Sequence, residues 1–162
     1  MRRLAPLLRD LARHRDGVAA TEAALVLPFL LFLGGGVLEF GVMQYRLQLV
    51  EAGVRDAARF LARTPDPAAM EVQAKLLAVT GAVVPGGAPR VRDWTTAQVT
   101  VTYRTTANAR AATGLRPYRG GDTVDVVRVA TSVPYAGIGF LTLIRLTGLT
   151  LGAVHEERVV GG

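Results

Sequence analysis

Apolar and polar positions fall into three successive patterns along the 162 residues. Over residues 18–38 (VAATEAALVLPFLLFLGGGVL) the only charge is Glu22, and the sixteen residues from Ala23 to Leu38 carry no strongly polar side chain. Such a run makes about 31 Å of helix at about 1.5 Å per residue, which matches a hydrocarbon core of about 30 Å. It predicts one membrane-crossing helix. The helical pattern then continues in a different form. Met43, Leu47, Val50, Val54, Ala57 and Leu61 are spaced 4, 3, 4, 3 and 4, a single apolar stripe. Arg46, Gln48, Glu51, Arg55, Arg59 and Arg63 occupy the other faces. Thr64-Pro65-Asp66-Pro67 ends the helix, because proline disfavours helix in the residue before it. One helix over residues 18–63 is expected, apolar all round in its first half and amphipathic in its second. Pro28 and Gly34-Gly35-Gly36 are the places where it could bend.

The third pattern is mixed. Residues 68–80 read as a helix with Gly81 as C-terminal cap. Residues 83–90 read as a loop. Residues 94–104 contain Val99-Thr100-Val101-Thr102-Tyr103, an alternating β-branched run that predicts a strand. Residues 105–121 form a polar connection, residues 123–133 a second strand, and residues 148–159 a third. Residues 135–146 carry no clear periodicity. The fold class expected is α+β: a long N-terminal helix, then a small domain whose antiparallel sheet covers the helix stripe. The chain divides into a basic leader (1–17), a transmembrane segment (18–42) and an exported domain (43–162) that includes the amphipathic half of the helix.

Composition sharpens this picture. The chain is half hydrophobic, with a mean hydropathy of +0.30, which excludes low-hydropathy disorder for most of it. It has no cysteine, so disulfide scaffolds, thiolate metal sites and cysteine nucleophiles are excluded. The two histidines, His14 and His155, are too few for a histidine-rich metal site. Five arginines and two aspartates within residues 1–16 give the leader a net +3. The positive-inside bias keeps such a flank in the cytoplasm and sends the remainder across the inner (cytoplasmic) membrane. An ordinary signal peptide is the competing reading. It has a shorter apolar core, however, and a small-x-small cleavage site, which LEFGVMQYRLQLV does not offer.

Candidate chemistry is sparse. His155-Glu156-Glu157 opens like a zincin helix, but position 159 is Val and the context is a strand. Ser132 lacks a Gly-x-Ser-x-Gly elbow. Asp122 and Asp125 are three apart, which on a strand sends them to opposite faces. No phosphate-binding loop occurs. A non-enzyme with no cofactor and no metal is expected. Arg90, Arg92, Arg104, Arg110, Arg116 and Arg119, interleaved with Trp94, Tyr103 and Tyr118, read as a solvated basic face, and no nucleic acid is expected as partner.

The stretch GVAATEAALVLPFLLFLGGGVLEFGVMQYRLQLVEAGVRDAARFLART resembles the N-terminal region of TadE-like proteins, which are minor pilin-like (pseudopilin) components of tight-adherence, or Tad, pili. The residues that carry the resemblance are Gly17, Glu22, Ala24-Leu25-Val26-Leu27-Pro28, Glu39-Phe40-Gly41 and Ala57-Ala58-Arg59. It implies cleavage between Gly17 and Val18 by a prepilin peptidase, a pilin-like roll, and packing among other minor and major pilins and an inner-membrane assembly platform, with the lipid bilayer as the other partner. It also implies that the freed amine of Val18 on one subunit meets Glu22 of a neighbour. Taken alone, Glu22 reads equally as a headgroup-edge residue or an acceptor for helix N-terminal amides. Helix packing is assigned to Pro28, Gly34, Gly35, Gly36, Glu39, Phe40 and Gly41. Ala23 follows Glu22 where many pilin-like leaders have Phe. An uncleaved single-pass anchor presenting a small envelope domain is the alternative.

Overall fold

A computed structural model describes residues 16–119 and 121–160. The basic leader expected over residues 1–17, with His14, lies outside these residues except at its last two positions. Helix α1 runs from Asp16 to Ala62, 47 residues, through Pro28 and the glycine triplet. Helix α2 follows at Glu71–Thr80. Strands β1 (Val99–Ala107) and β2 (Thr123–Pro134) come next, then a single helical turn α3 (Phe140–Leu143) and strand β3 (Thr150–Arg158). The three strands form one antiparallel sheet in the order β1-β2-β3, with Val101 opposite Val129 and Val129 opposite His155. The molecule is thus α+β, a long apolar N-terminal helix followed by a small antiparallel sheet.

The amphipathic stripe does what its spacing predicts. Val50, Val54, Ala57 and Leu61 are wholly buried, and Met43 and Leu47 pack partly buried beside them. Ala58 and Ala62 widen the stripe. Against it lie Ala74, Ala78 and Val79 of α2 and the inward residues Val127, Val129 and Val133 of β2. The first half of α1 has no such cover: Leu25, Leu30 and Leu33 are all more than half exposed. One helix is therefore solvated two ways, by protein over its second half and by whatever surrounds its first. It is the one helix among the described residues that is long and apolar enough to cross a membrane.

Two features hold the domain on the helix. A Cβ at Gly53 would meet the carbonyl oxygen of Ala78 and come within 2.7 Å of Trp94 Cη2, so the approach of α1 to α2 depends on a bare backbone there. Trp94 is buried under that crossing, and its indole N–H donates to Thr131 Oγ1 at 3.0 Å. The Thr131 hydroxyl donates in turn to the Gln98 carbonyl at 2.9 Å. Arg90 ties the loop after α2 to α1 through Asp56 at 2.8 Å.

Element boundaries shift from the sequence expectation for local reasons. Helix α2 starts at Glu71 and not at 68, because Asp66 Oδ1 accepts the Ala69 amide and residues 67–70 are held in turns. Strand β1 starts at Val99 and not at 94, because the Thr95 amide donates to Gln98 Oε1 in a 3-10 turn. It continues to Ala107, past the expected end at 104.

Substituting Gly53 by Val should destabilise the domain by about 1–3 kcal/mol through overpacking. Denaturation of the detergent-solubilised protein, followed by the fluorescence of its sole tryptophan, Trp94, measures this directly. An unchanged midpoint would show that α2 and Trp94 can move away from α1 at no cost.

Candidate functional site

The assigned residues fall in two regions of α1. Gly17, Val18 and Glu22 lie in its exposed first turns. The Gly17 carbonyl accepts the Thr21 hydroxyl at 2.7 Å. Val18 and Glu22 are four apart and so share one helix face. Pro28, Gly34 and Gly41 are exposed, and no atom lies within 4 Å of a Cβ built at either glycine.

The second region is built around Glu39. This residue follows the apolar run directly, yet it is 1 % exposed. A buried carboxylate is tolerated only when its oxygens accept hydrogen bonds. Three donors converge here from a segment about a hundred residues away in sequence. The Tyr135 hydroxyl donates to Oε1 at 2.8 Å and also lies 3.1 Å from the Glu39 carbonyl. The Ile138 amide donates to Oε1 at 3.1 Å, and the Phe140 amide donates to Oε2 at 3.0 Å. Hydrogen bonds to a charged group are worth about 1.5–3 kcal/mol each, so the three together offset a large desolvation cost.

The loop sequence Ala136-Gly137-Ile138-Gly139 fits this task. A Cβ at Gly137 would overlap Glu39 Oε1. Gly139 has φ of 108°, a region open to glycine. Two helical turns further along α1, Arg46 donates to the Ala136 carbonyl and lies 5.6 Å over the Tyr135 ring. Glu39 and Arg46, two turns apart on one face of α1, therefore both clasp residues 135–140. Below the clasp, the Phe140 ring covers Gly35 and Gly36, with Cδ2 2.5 Å from where a Gly35 Cβ would stand. It meets Phe32 edge to face at 5.0 Å. Phe40 remains 56 % exposed on the rim.

Elsewhere the titratable groups pair locally. His155 sits 3.1 Å from Glu157 on β3, and Glu156 faces Arg128 across the sheet at 3.7 Å. Asp125 accepts the Thr105 hydroxyl at 2.6 Å, and Asp122 pairs with Arg116. Arg158 lies 5.6 Å over the Tyr118 ring. No cluster of three potential metal ligands occurs among the described residues.

Comparison with known proteins addresses the helix that carries both regions. Residues 17–59 match the TadE-like protein family. No curated protein and no solved structure gives a match. The TadE-like segment begins at Gly17, takes in Glu22, Pro28, the glycine triplet and Glu39-Phe40-Gly41, and ends at Arg59 inside the docking stripe. Its buried carboxylate is satisfied entirely from outside the segment. Sequence reasoning placed Glu39 among helix-packing residues and missed its donors. The available signal was the pair of glycines in Tyr135-Ala136-Gly137-Ile138-Gly139, a stretch that carries no periodicity.

Burial, then the hydrogen bond to Glu39 and its negative charge, push the Tyr135 phenol up to about 12, against a smaller opposing effect of Arg46. The folded value lies above the unfolded one of about 10. The stabilisation is therefore complete below about pH 10 and is lost as pH rises through about 12. Titration of tyrosinate absorbance, with Tyr135→Phe as the assignment control, should show this phenol ionising well above its ordinary range. Glu39→Gln should bring it down. Separately, Gly137→Ala should speed hydrogen exchange at the Ile138 and Phe140 amides and leave the β2 amides protected. Equal exchange in both proteins would mean that the clasp does not hold the loop.

Proposed function

We propose that the protein is a minor pseudopilin of a Tad pilus, a non-catalytic structural or assembly component held in the inner membrane by the first half of α1. The observation that carries this reading is the TadE-like match beginning at Gly17, on a helix whose first half is apolar and uncovered. The leader stays in the cytoplasm and the domain from residue 43 is exported. A prepilin peptidase cuts between Gly17 and Val18 and leaves a chain of 145 residues. The bond lies in the first turn of α1, where amide groups have no intrahelical partner. Opening that turn costs little, and glycine leaves its backbone bare for a protease cleft.

Cleavage creates an amine at Val18, one helical turn from Glu22. A carboxylate near a bilayer is expensive unless paired. The amine of one subunit and the Glu22 of its neighbour neutralise each other as the apolar helices pack side by side. Pro28 and the exposed Gly34 and Gly41 then face other pilins and the assembly platform. The solvent-facing arginines serve solubility, not nucleic-acid binding.

Intact mass and N-terminal sequencing of the membrane-fraction protein, co-expressed with its prepilin peptidase, test the reading. A chain beginning at Val18 is expected, and Gly17→Leu should leave it uncut. Glu22→Ala should be cut normally yet fail to assemble. A chain still beginning at Met1 would replace the pseudopilin by an uncleaved single-pass anchor. Loss of the whole apolar segment would make it an ordinary secreted protein.

A further inference from the structure

In the segment between β2 and β3, Phe140, Leu141, Ile144, Leu146 and Leu149 face Phe32, Gly36, Phe40 and Met43 of α1 across an apolar groove of about 330 Å³. Several large aliphatic side chains of the segment remain exposed: Ile138 is 55 % exposed, Leu143 76 %, and Ile144 and Leu146, on the lip of the groove, 42 % and 47 %. Thr142, Arg145 and Thr147 are exposed between them. A cluster of exposed aliphatic side chains continuous with an apolar groove marks a contact surface.

The depth of this segment follows from the helix it grips. At about 1.5 Å per residue, Phe32 stands roughly 21 Å and Gly35 roughly 26 Å along the axis from Val18. A hydrocarbon core of about 30 Å starting at Val18 ends near residue 38. Started instead at Ala23, after the Glu22 carboxylate, the same core ends near residue 43 and places Phe32 and Gly35 deeper. In both frames the Phe140 ring, packed on Phe32 and Gly35, lies below the edge of the hydrocarbon. Glu39 falls at that edge in the first frame and about 6 Å inside it in the second, and in either its carboxylate is met by protein donors. Tyr135 and Arg46 lie just above, at the level where aromatic rings and arginines are favoured. Arg145 is exposed, and its long stem lets the guanidinium reach the headgroups from a residue flanked by Ile144 and Leu146.

We infer that residues 138–146 form a second membrane-contacting element, embedded in the outer leaflet beside α1 and clasped to it by Glu39. The occupant of its exposed apolar face is lipid, since the face is continuous with the bare surface of α1 at Phe32, Leu33 and Phe40. The inference rests on the reading that the first half of α1 crosses the bilayer. Such an element buries its apolar face about 5–10 Å into the headgroup and acyl boundary. The exported domain is then held at two points on the membrane surface, which fixes its orientation.

Because the chain has no cysteine, single cysteines report position cleanly. Full-length Leu143→Cys, Ile138→Cys, Leu30→Cys and Val154→Cys proteins, each labelled with bimane, go into vesicles of phosphatidylcholine and phosphatidylglycerol. All four sites are more than half exposed, so the labels are tolerated. Labels at 143 and 138 should lose fluorescence to lipids carrying a nitroxide near the headgroup and resist aqueous iodide. The label at 30 should be quenched by mid-chain nitroxides, and the label at 154 by iodide alone. Iodide quenching at 143 and 138 with lipid quenching retained at 30 would overturn the inference and leave the membrane helix standing. Shielding of 143 and 138 from both quenchers would overturn it in favour of a second protein chain on that face. Absence of lipid quenching at 30 would overturn both.

Discussion

The structure depends on keeping the Glu39 carboxylate hydrogen-bonded in a place without water. A charge on a helix at that position has three ways out: neighbouring water, a cation, or fixed dipoles. This molecule uses dipoles, the amides of Ile138 and Phe140 and the hydroxyl of Tyr135. Amides can reach a carboxylate in pairs only when the backbone turns tightly around it, which is why Gly137 and Gly139 flank the contact. The same turn drives Phe140 down onto Gly35 and Phe32. One carboxylate thereby sets the path of the chain between β2 and β3.

The helix that bears it works in two environments with one geometry. Over its second half the 3.6-residue repeat confines apolar side chains to a stripe that a sheet and a short helix can cover. Over its first half the repeat is irrelevant, because every face is apolar. Glu39 lies at the change between the two. Anchoring the sheet there, and again through Gly53 and Trp94 two helical turns beyond Arg46, makes the domain and the rod one mechanical piece. A pull on the helix reaches the sheet through packed side chains and charged hydrogen bonds, with no linker between.

Much of this was legible in the sequence. The stripe from Met43 to Leu61 was readable because burial imposes a period on it, and β1 was readable from the alternating β-branched run Val99–Tyr103. The starts of α2 and β1 were not, because Asp66 and Gln98 bond to nearby backbone amides and compete with the regular elements. The role of Glu39 was not legible either. Its partners are mostly main-chain amides, which every residue possesses, and they come from a stretch with no repeat. Sequence pattern records which side chains are buried, and it is nearly silent on which backbone groups meet them.

The joined construction bears on how such a helix could leave a bilayer for a filament. Moving α1 alone would strip Glu39 of its donors and leave a bare carboxylate against apolar neighbours, a cost of several kcal/mol. The helix and residues 135–149 must therefore move together. On the proposed pseudopilin reading, extraction changes only the outer cover of an already assembled unit, from lipid to the apolar helices of neighbouring subunits. Glu22, exposed and outside the clasp, is the carboxylate left to be satisfied by the new surroundings. Glu22 and Glu39, the two carboxylates that flank the apolar run, thus stand in different surroundings. Glu39 is satisfied within the chain, while on the proposed pseudopilin reading the exposed Glu22 is left to pair with a neighbour's amine.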